Sequence, residues 1–324
     1  MDLSVRHTAL VEVLRREARG GVVPLVRLIE VALYWPQWGY YTSTQTRVGK
    51  TAGTDFTTAA ALGPLFGELV ASAAETFLGN LSTYTLVEIG AEPNQSHFST
   101  VSGRFAGFKT IRYGESLSFP SRVVLVANEL FDAQPFYRLQ FQQGRWVEVG
   151  VRVDGDELCF ETLPQFSSVQ IAQWAEKLPP TSEGWILDVP LAAENLLEKL
   201  LSPKWSGSVM FFDYGKTLAQ CLESSPAGTA RAYVKHQLSN DILQNLGSQD
   251  ITCHVLWDQL EPLLKKHGFE KVGLERQEAF FVKFAGKEME RMARGGDWES
   301  RGRLRALTHP AHFGSKFQVL FGIR

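Results

Sequence analysis

Residues 83–94 read TYTLVEIGAEPN, and this stretch decides the fold. Leu86 to Gly90 form a short apolar run that ends at a glycine, which is typical of a parallel strand covered on both faces. One acid, Glu88, lies inside this run. Since a carboxylate is rarely buried without a partner, Glu88 either pairs with another part of the chain or faces a ligand. A strand, an acid, a glycine and a turn in this order predict the ligand crevice of an open α/β sheet.

The turn after Gly90 restricts the kind of ligand. A dinucleotide-binding turn needs several glycines, so that free backbone N–H groups can meet a pyrophosphate. Here Glu92 adds a negative charge and Pro93 removes an N–H group, and both changes oppose a phosphate. The turn is compatible with a cationic ligand that lacks phosphate, such as the sulfonium of S-adenosylmethionine. An ordinary strand that ends in a turn is the alternative that this stretch leaves open.

The composition excludes several classes of protein. Of the 324 residues, 44% are hydrophobic and 21% are charged, so we expect a packed core. The formal net charge of −2 argues against a general nucleic-acid binder. The cysteines make no metal-binding spacing, and His309 and His312 have no carboxylate or cysteine close to them, so we expect no metal. Because neither a signal region nor an apolar run long enough to span a membrane is evident, we expect a cytoplasmic protein without membrane insertion.

Residues 1–80 predict an N-terminal helical segment. Apolar and charged residues alternate at helical spacing over residues 5–18, and Pro24 opens a second amphipathic helix. Pro64 is placed to begin a third helix. Residues 34–41 contain five aromatic side chains, a density that favours either a core plug between layers or the wall of a binding site.

Residues 81–324 predict the α/β core. Residues 137–162 alternate apolar and polar side chains with period two, which predicts an antiparallel insertion over residues 136–165. The segments WILDVP (185–190) and SGSVMFFDYG (206–215) resume the α/β alternation. Residues 216–250 are polar and read as a lid-like loop. The last strand, within KFQVLFGI (316–323), is expected to be antiparallel.

Several further motifs occur in a fixed order along the chain. They are ALYWPQWGYY (32–41), TDFTTAAALGPLFGEL (54–69), LVEIG (86–90), ANELFDAQP (127–135), FFDYG (211–215), GTARAY (228–233), QDITCHV (249–255) and FQVL (317–320). Together they resemble the MidA-like family of S-adenosylmethionine-dependent methyltransferases, which includes the mitochondrial enzymes that modify a protein arginine during complex I assembly. The resemblance implies a Rossmann-like class I methyltransferase fold with an N-terminal helical segment and an antiparallel β insertion. It also implies a protein substrate or partner, with arginine as the leading methyl acceptor.

The sequence departs from the family pattern at the ligand turn. The three glycines of the family are reduced to Gly90, followed by Ala91, Glu92, Pro93 and Asn94. Residues 91–120 are too few for two strand-helix units, so the sheet is expected to be one strand short. These departures support the alternative of a catalytically inactive protein of the same fold that serves as a binding or assembly factor.

The candidate catalytic residues follow the predicted strand Val123–Ala127. Glu129 and Asp132 would face the same way on one turn of helix, where paired carboxylates could clamp a guanidinium. The alternative is a plain helix start, with Asn128 as the N-cap and the acids favoured by the helix dipole.

The resemblance also supplies candidate binding residues. For the cofactor these are Glu88, Gly90, Ala91, Glu115, Asn128, Asp55 and Thr57. For the substrate they are Tyr40, Tyr41, Asp213, Tyr233 and His254.

Overall fold

The structure is a computed structural model that describes residues 3–42, 64–91, 98–234, 237–295, 298–308 and 316–324. Its helices are α1 (Leu3–Glu17), α2 (Leu25–Tyr34), α3 (Pro64–Leu78), α4 (Val169–Glu176), α5 (Leu191–Leu201), α6 (Leu218–Ser224), α7 (Trp257–Lys266), α8 (Gln277–Gly295) and α9 (Trp298–Thr308). Its strands are β1 (Val22–Pro24), β2 (Thr85–Ile89), β3 (Gly107–Ile111), β4 (Arg122–Asn128), β5 (Tyr137–Gln142), β6 (Arg145–Asp154), β7 (Glu157–Thr162), β8 (Ile186–Val189), β9 (Ser206–Asp213), β10 (Gly215–Lys216), β11 (Arg231–Val234), β12 (Gln237–Ser239), β13 (Asp250–Thr252), β14 (Val255–Leu256), β15 (Gly273–Arg276) and β16 (Gln318–Ile323).

The central sheet has six strands in the order β15-β16-β9-β4-β2-β3. Strands β3, β2, β4 and β9 pair in parallel, whereas β16 pairs antiparallel with both β9 and β15. Strand β4 is buried from Val123 to Ala127 because helices cover both faces of the sheet at this position. The Rossmann-like class of the fold and its antiparallel last strand are therefore confirmed.

The edge of this sheet confirms the length argument for residues 91–120. In the described part of that segment the chain forms a single-turn 3₁₀ helix at Ser102–Arg104 and one strand, β3, but no α-helix. Strand β3 pairs with β2 and ends the sheet on that side. As described, the sheet is one strand short because residues 98–121 between β2 and β4 hold one strand rather than two.

Two apolar layers enclose the central sheet. On one face α3 and α8 pack through aromatic side chains. The ring centroids of Phe66 and Phe212 are 5.0 Å apart, and Phe212 stacks on Phe281 with 5.6 Å between ring centroids. On the other face α5 and α7 bury Trp257 and Phe211 in a second cluster. Burial on both faces fixes the carboxyl edge of the parallel strands, where the candidate site lies.

The predicted insertion is confirmed as the meander β5-β6-β7, and it belongs to a second sheet of order β1-β6-β5-β8 with β7 paired to β6. The expected alternation is present as β8, α5 and β9, but β8 pairs antiparallel with β5 in the second sheet and is not a strand of the central sheet. Arg138 and Asp188 are register partners in these two strands, and their buried side chains form an ion pair at 2.8 Å. A buried carboxylate needs such a partner, and β5 supplies it.

The helices predicted near the N-terminus are present as α1 and α2. Both pack on the second sheet, where Leu28 and Ile29 share a cluster with Val151 and Val153. By contrast, α3 begins at Pro64 and packs on the central sheet. The division of the chain at residue 80 stays a prediction.

Residues 216–250 are more ordered than expected. The described residues of this range form α6, β11 and β12, and β11 pairs with both β12 and β13 in a three-stranded sheet. The expectation of a loop is therefore wrong for the described part. The order of this segment results from four buried apolar side chains, which its polar average composition conceals: Ala230, Ala232, Ile242 and Leu246.

Within the described ranges, none of the helices combines the length and apolarity that crossing a membrane requires.

Candidate active site

A cavity of about 770 Å³ lies at the carboxyl ends of β2, β3 and β4. Its wall combines the turn after each of these strands with the N-terminal segment. Representative lining residues are Gly90, Glu115 and Glu129 from the strand ends, and Tyr34 and Tyr41 from the N-terminal segment. A cavity of this size at the switch point of a parallel sheet is suited to a small ligand.

Gly90 is required by its conformation and its surroundings. Its φ is +77°, and a Cβ placed there would lie 2.9 Å from Cδ1 of Leu130. The Gly90 N–H donates to the Ile111 carbonyl at 2.9 Å, which continues the β2–β3 ladder. Gly90 therefore lets the turn after β2 approach the turn after β4, and Ala91, also in the cavity wall, follows it directly.

Glu88 is buried beside this turn. Burial raises the pKa of Glu88 to about 7, although the charge of Arg112 acts in the opposite direction. Among the described residues, Glu88 Oε2 has no hydrogen-bond partner. Glu88 shares a sheet face with Leu86 and is not part of the cavity lining found here. It offers an acceptor that a buried cation could satisfy.

Glu115 lies in the turn that follows β3. Its Oε2 accepts a hydrogen bond from the Arg112 N–H at 2.8 Å, and this contact closes the turn. The neighbouring Tyr113 stacks on Tyr34 at 4.4 Å between ring centroids. Both Tyr113 and Glu115 line the cavity, so the edge strand contributes a carboxylate and an aromatic ring to it.

The turn after β4 differs from both sequence expectations. No helix is formed over residues 128–135, so Glu129 and Asp132 do not share a helical face and Asn128 is not an N-cap. Glu129 instead adopts a left-handed conformation with φ of +51° and lines the cavity. The Asn128 Nδ2 group donates to Glu129 Oε1 at 3.0 Å.

Asp213 explains why a helix is not formed. Its Oδ2 accepts from the N–H groups of Leu130, Phe131 and Asp132 at 3.2, 2.8 and 3.3 Å. Its Oδ1 accepts from the Tyr214 N–H at 2.8 Å. Burial raises the pKa of Asp213 to about 6, and the backbone donors oppose this shift. Asp213 thus lies beneath the turn with both oxygens engaged by the backbone.

Asp132 lies next to Asp213 in the interior. Burial raises the pKa of Asp132 well above its usual range, and the charges of Asp213 and Glu129 add to the shift. Its Oδ1 atom is buried without a hydrogen-bond partner in the described part of the chain. Two buried carboxyl groups in contact cannot both be ionised, so the pair retains one proton at neutral pH.

The aromatic cluster of residues 34–41 divides between core and site. Tyr40 is buried in the cluster beneath the second sheet, whereas Tyr41 lines the cavity and donates its hydroxyl to Asp250 Oδ1 at 2.8 Å. Tyr34 stacks on Tyr41 at 5.5 Å and donates to the Ala133 carbonyl at 3.0 Å. Sequence reasoning missed Asp250 and Tyr34 as site residues, although both lie in quoted motifs.

The remaining predicted residues lie at different distances from this cluster. Burial and the charge of Asp132 raise the pKa of Tyr233, which places Tyr233 beside the carboxyl groups. Burial, followed by the charges of Lys216 and Arg231, lowers the pKa of His254 to about 4, so His254 is neutral. Its charged neighbours are those two cations and Asp188, and not the acids of the turn after β4.

The predicted cofactor residues Asp55 and Thr57 lie outside the described residues, and so do His309 and His312, for which no metal was expected. Across the ranges that the structure describes, no group of three potential metal ligands occurs.

A comparison with protein families identifies the class of this protein. The model described as "Putative S-adenosyl-L-methionine-dependent methyltransferase" matches residues 60–275, and the chain belongs to this family. The family's cofactor is S-adenosyl-L-methionine. The left-handed Gly90, the Glu88 oxygen without a partner among the described residues, and the cavity volume fit such a molecule.

Individual relatives agree with this assignment. "Protein arginine methyltransferase NDUFAF7 homolog, mitochondrial" of Drosophila melanogaster is 26% identical over 253 residues, which are 74% of this chain. The chain spans 55% of the length of that relative. A protein of Burkholderia thailandensis with S-adenosyl-homocysteine bound has a TM-score of 0.85 at 23% identity, covering 100% of this chain and 94% of its own. A second structure from that organism, in native form, has a TM-score of 0.79 at 22% identity, covering 100% and 93% of the two chains.

Proposed function

We propose that this protein transfers a methyl group from S-adenosyl-L-methionine to a nitrogen of a protein side chain, with arginine as the leading acceptor. The observation that carries the proposal is the acidic, tyrosine-lined wall beside the cavity. Glu129 lines the cavity, and Asp132 and Asp250 lie close behind it. The Drosophila relative is named a protein arginine methyltransferase, which supports arginine.

The charges of the wall suit a cationic substrate. A guanidinium is planar and permanently charged, and carboxylates hold it through paired hydrogen bonds. The cofactor supplies a sulfonium methyl group, so a second positive charge would enter the same site. Glu129 and Asp250 would offset this repulsion. Tyr34 and Tyr41 remain neutral because burial raises the pKa of each hydroxyl.

The reaction also requires a proton acceptor. Methylation of a guanidinium nitrogen would form one C–N bond and break the S–CH₃ bond of the sulfonium, with S-adenosyl-homocysteine as the leaving group. One N–H proton must also leave for the product to keep a single positive charge. Glu129 faces the cavity and is placed to accept this proton. Asp132 already holds a proton in the pair with Asp213, so we assign it a hydrogen-bonding role and not that of the base.

An inactive protein of the same fold remains a second candidate function. The single-glycine turn and the missing strand favour it, because both remove parts of the usual methyltransferase site. Such a protein would bind a protein partner or assist its assembly without transferring a methyl group.

A cytoplasmic location is a separate proposal that composition alone supports. The Drosophila relative, by contrast, is named mitochondrial.

Radiolabelled methyl transfer tests the proposal. The protein is incubated with labelled S-adenosyl-L-methionine and a lysate from cells that lack it. We expect Glu129→Gln to lose about 2–4 kcal/mol of transition-state stabilisation, the scale of one preorganised electrostatic contact. Asp132→Asn should lose less, because Asp132 is already neutral. Glu223→Gln, an exposed acid on α6, is the control and should keep full labelling.

Three outcomes contradict the proposal in different ways. Full labelling by Glu129→Gln would remove Glu129 from the mechanism. Labelled products that contain no methylarginine would exclude arginine as the acceptor. If the parent shows no labelling and S-adenosyl-homocysteine does not raise its melting temperature, the inactive binding protein is the better conclusion.

A further inference from the structure

Asp213 differs from the other acids near the cavity in the number of backbone donors around it. Four N–H groups, from Leu130, Phe131, Asp132 and Tyr214, donate to its two oxygens. The side chain is completely buried at the carboxyl end of β9. Three consecutive N–H groups that converge on one oxygen form a nest, which a charged acceptor satisfies better than a neutral one.

The turn that Asp213 holds is strained and would not persist by itself. Glu129 has φ of +51°, a region that is costly for a residue with a Cβ. The Glu129 N–H still bonds to the Phe212 carbonyl at 2.9 Å, so the chain leaves the sheet ladder directly after this residue. Asp213, the residue after Phe212, then takes the next three N–H groups in the place of a helix.

The turn is fixed from two further sides. Leu130 packs against Gly90, and the Asp132 carbonyl accepts from the Cys253 N–H at 3.0 Å. These contacts join the turn after β4 to the turn after β2 and to the β13–β14 connection. Movement of the turn would therefore displace Glu129 from the cavity wall.

We propose that Asp213 is a positioning residue: it holds the turn at residues 129–132 so that Glu129 faces the cavity, and it keeps Asp132 as its neutral, proton-bearing partner. This inference rests on the proposed function, since it concerns the orientation of the proposed base. It moves Asp213 from substrate contact, the role that the resemblance implied, to the support of Glu129.

Eight titratable groups of the described chain lie around Asp132. They are Asp213 from β9, Glu129 from its own turn, Asp250 from β13, Tyr233 from β11, Tyr34 from α2, Tyr41, Tyr214 and Cys253. None of these is a cation, so the charge of Asp213 adds to burial in keeping Asp132 protonated.

The test is Asp213→Asn, which keeps the size of the side chain and removes its charge. Carbon-13 NMR follows the Asp132 carboxyl against pH, and the signal is assigned by its loss in Asp132→Asn. We expect the titration midpoint of Asp132 to fall by at least about one pH unit, a tenfold loss of proton affinity. Amide exchange at Leu130, Phe131 and Asp132 should become faster. Asp188→Asn is the matched control, because Asp188 is also buried and accepts two backbone N–H groups.

The catalytic arm separates positioning from stability. Asp213→Asn should lower kcat about a hundredfold, the cost of a displaced catalytic group, while the affinity for S-adenosyl-homocysteine changes less than about threefold. Asp188→Asn should keep kcat within about threefold even if its melting temperature falls. Equal losses of kcat in both variants would show a general effect of stability and overturn the proposal.

The proposal remains falsifiable without enzyme activity or a folded Asp213→Asn variant. If that variant does not fold, Asp132→Asn gives a second measurement. Because Asp132 is neutral in the pair, its replacement should leave the midpoint of Asp213 within about half a pH unit. An unchanged midpoint of Asp132 in Asp213→Asn, or a fall of more than about one pH unit in the midpoint of Asp213 in Asp132→Asn, overturns the proposal. Absence of labelling by the parent would count against the proposed function alone, since the NMR measurements do not depend on methyl transfer.

Discussion

Glu88 should make cofactor binding depend on pH in a defined direction. The pKa of Glu88 is raised from its ordinary 4.5 to about 7 by burial, so the folded protein carries a neutral acid below pH 7. We propose that Glu88 accepts the α-ammonium of the cofactor through the oxygen that has no partner among the described residues. Only the ionised acid can pair with that cation, so affinity for S-adenosyl-homocysteine should rise as pH increases through 7.

The magnitude follows from the ionised fraction of Glu88. With a pKa of about 7, that fraction is about 3% at pH 5.5 and about three quarters at pH 7.5. Because the apparent dissociation constant is the intrinsic constant divided by the competent fraction, affinity should increase about 25-fold over this interval. This change corresponds to about 1.9 kcal/mol of binding free energy.

Calorimetric titration at several pH values measures this dependence. At pH 7, binding should release about half a proton, which buffers of different ionisation enthalpy detect. Glu88→Gln should bind more weakly at pH 7.5 and lose the pH dependence. Glu194→Gln is the control, since burial also raises the pKa of Glu194 to about 7 but Glu194 lies on α5 and its charged neighbour is Asp258. A parent affinity that is flat from pH 5.5 to 7.5, or a Glu88→Gln variant that keeps the dependence, would refute the reasoning.

Three further predictions concern the framework of the site. The pKa of Glu194 in the folded protein, about 7, lies above its ordinary value of 4.5, so the contribution of the neutral acid to stability is complete below pH 4.5 and is lost as the pH rises through 7. The free energy of unfolding of Glu194→Gln, measured in urea, should therefore increase relative to that of the parent by about 2 kcal/mol between pH 5 and pH 8. Gly228 has φ of +72°, and a Cβ there would lie 2.5 Å from Asp188 Oδ2. Gly228→Ala should therefore lower the free energy of unfolding by more than about 1 kcal/mol. Gly184, with φ of +81° but open space around it, is the control, and Gly184→Ala should lower the free energy of unfolding by less. The Arg324 guanidinium lies 3.9 Å from the Trp205 ring and donates to three backbone carbonyls, so Arg324→Ala should cost about 1–3 kcal/mol, and a melting temperature equal to the parent's would contradict this.

The sequence predicted the elements whose side-chain pattern is local. Strands β2 and β4 read as continuous apolar runs because both faces are covered, and the meander β5–β7 reads with period two because each strand alternates. The missing strand followed from chain length alone. These features depend on few residues and no distant partner, so a single sequence contains them.

Other features depend on contacts across the chain, and the sequence did not show them. Strand β8 reads like a core strand, but it pairs with β5 in the second sheet, where Asp188 forms an ion pair with Arg138. The turn at Glu129 reads like a helix start, and only the distant Asp213 prevents the helix. Asp250 became visible as a site residue through its hydrogen bond from Tyr41, which is 209 residues away in sequence.

The missing strand also explains why the N-terminal segment belongs to the site. With β3 as the edge strand, the turn at residues 112–115 has no neighbouring strand end to enclose the cavity on that side. The stack of Tyr113 on Tyr34, and of Tyr34 on Tyr41, encloses this side instead. Tyr34 and Tyr41 are held in place by the Ala133 carbonyl and by Asp250, so the stack is tied to the turn that carries Glu129. The aromatic segment thus encloses the cavity at the edge of the shortened sheet. It also connects the turn after β3 with the carboxyl groups that follow β4.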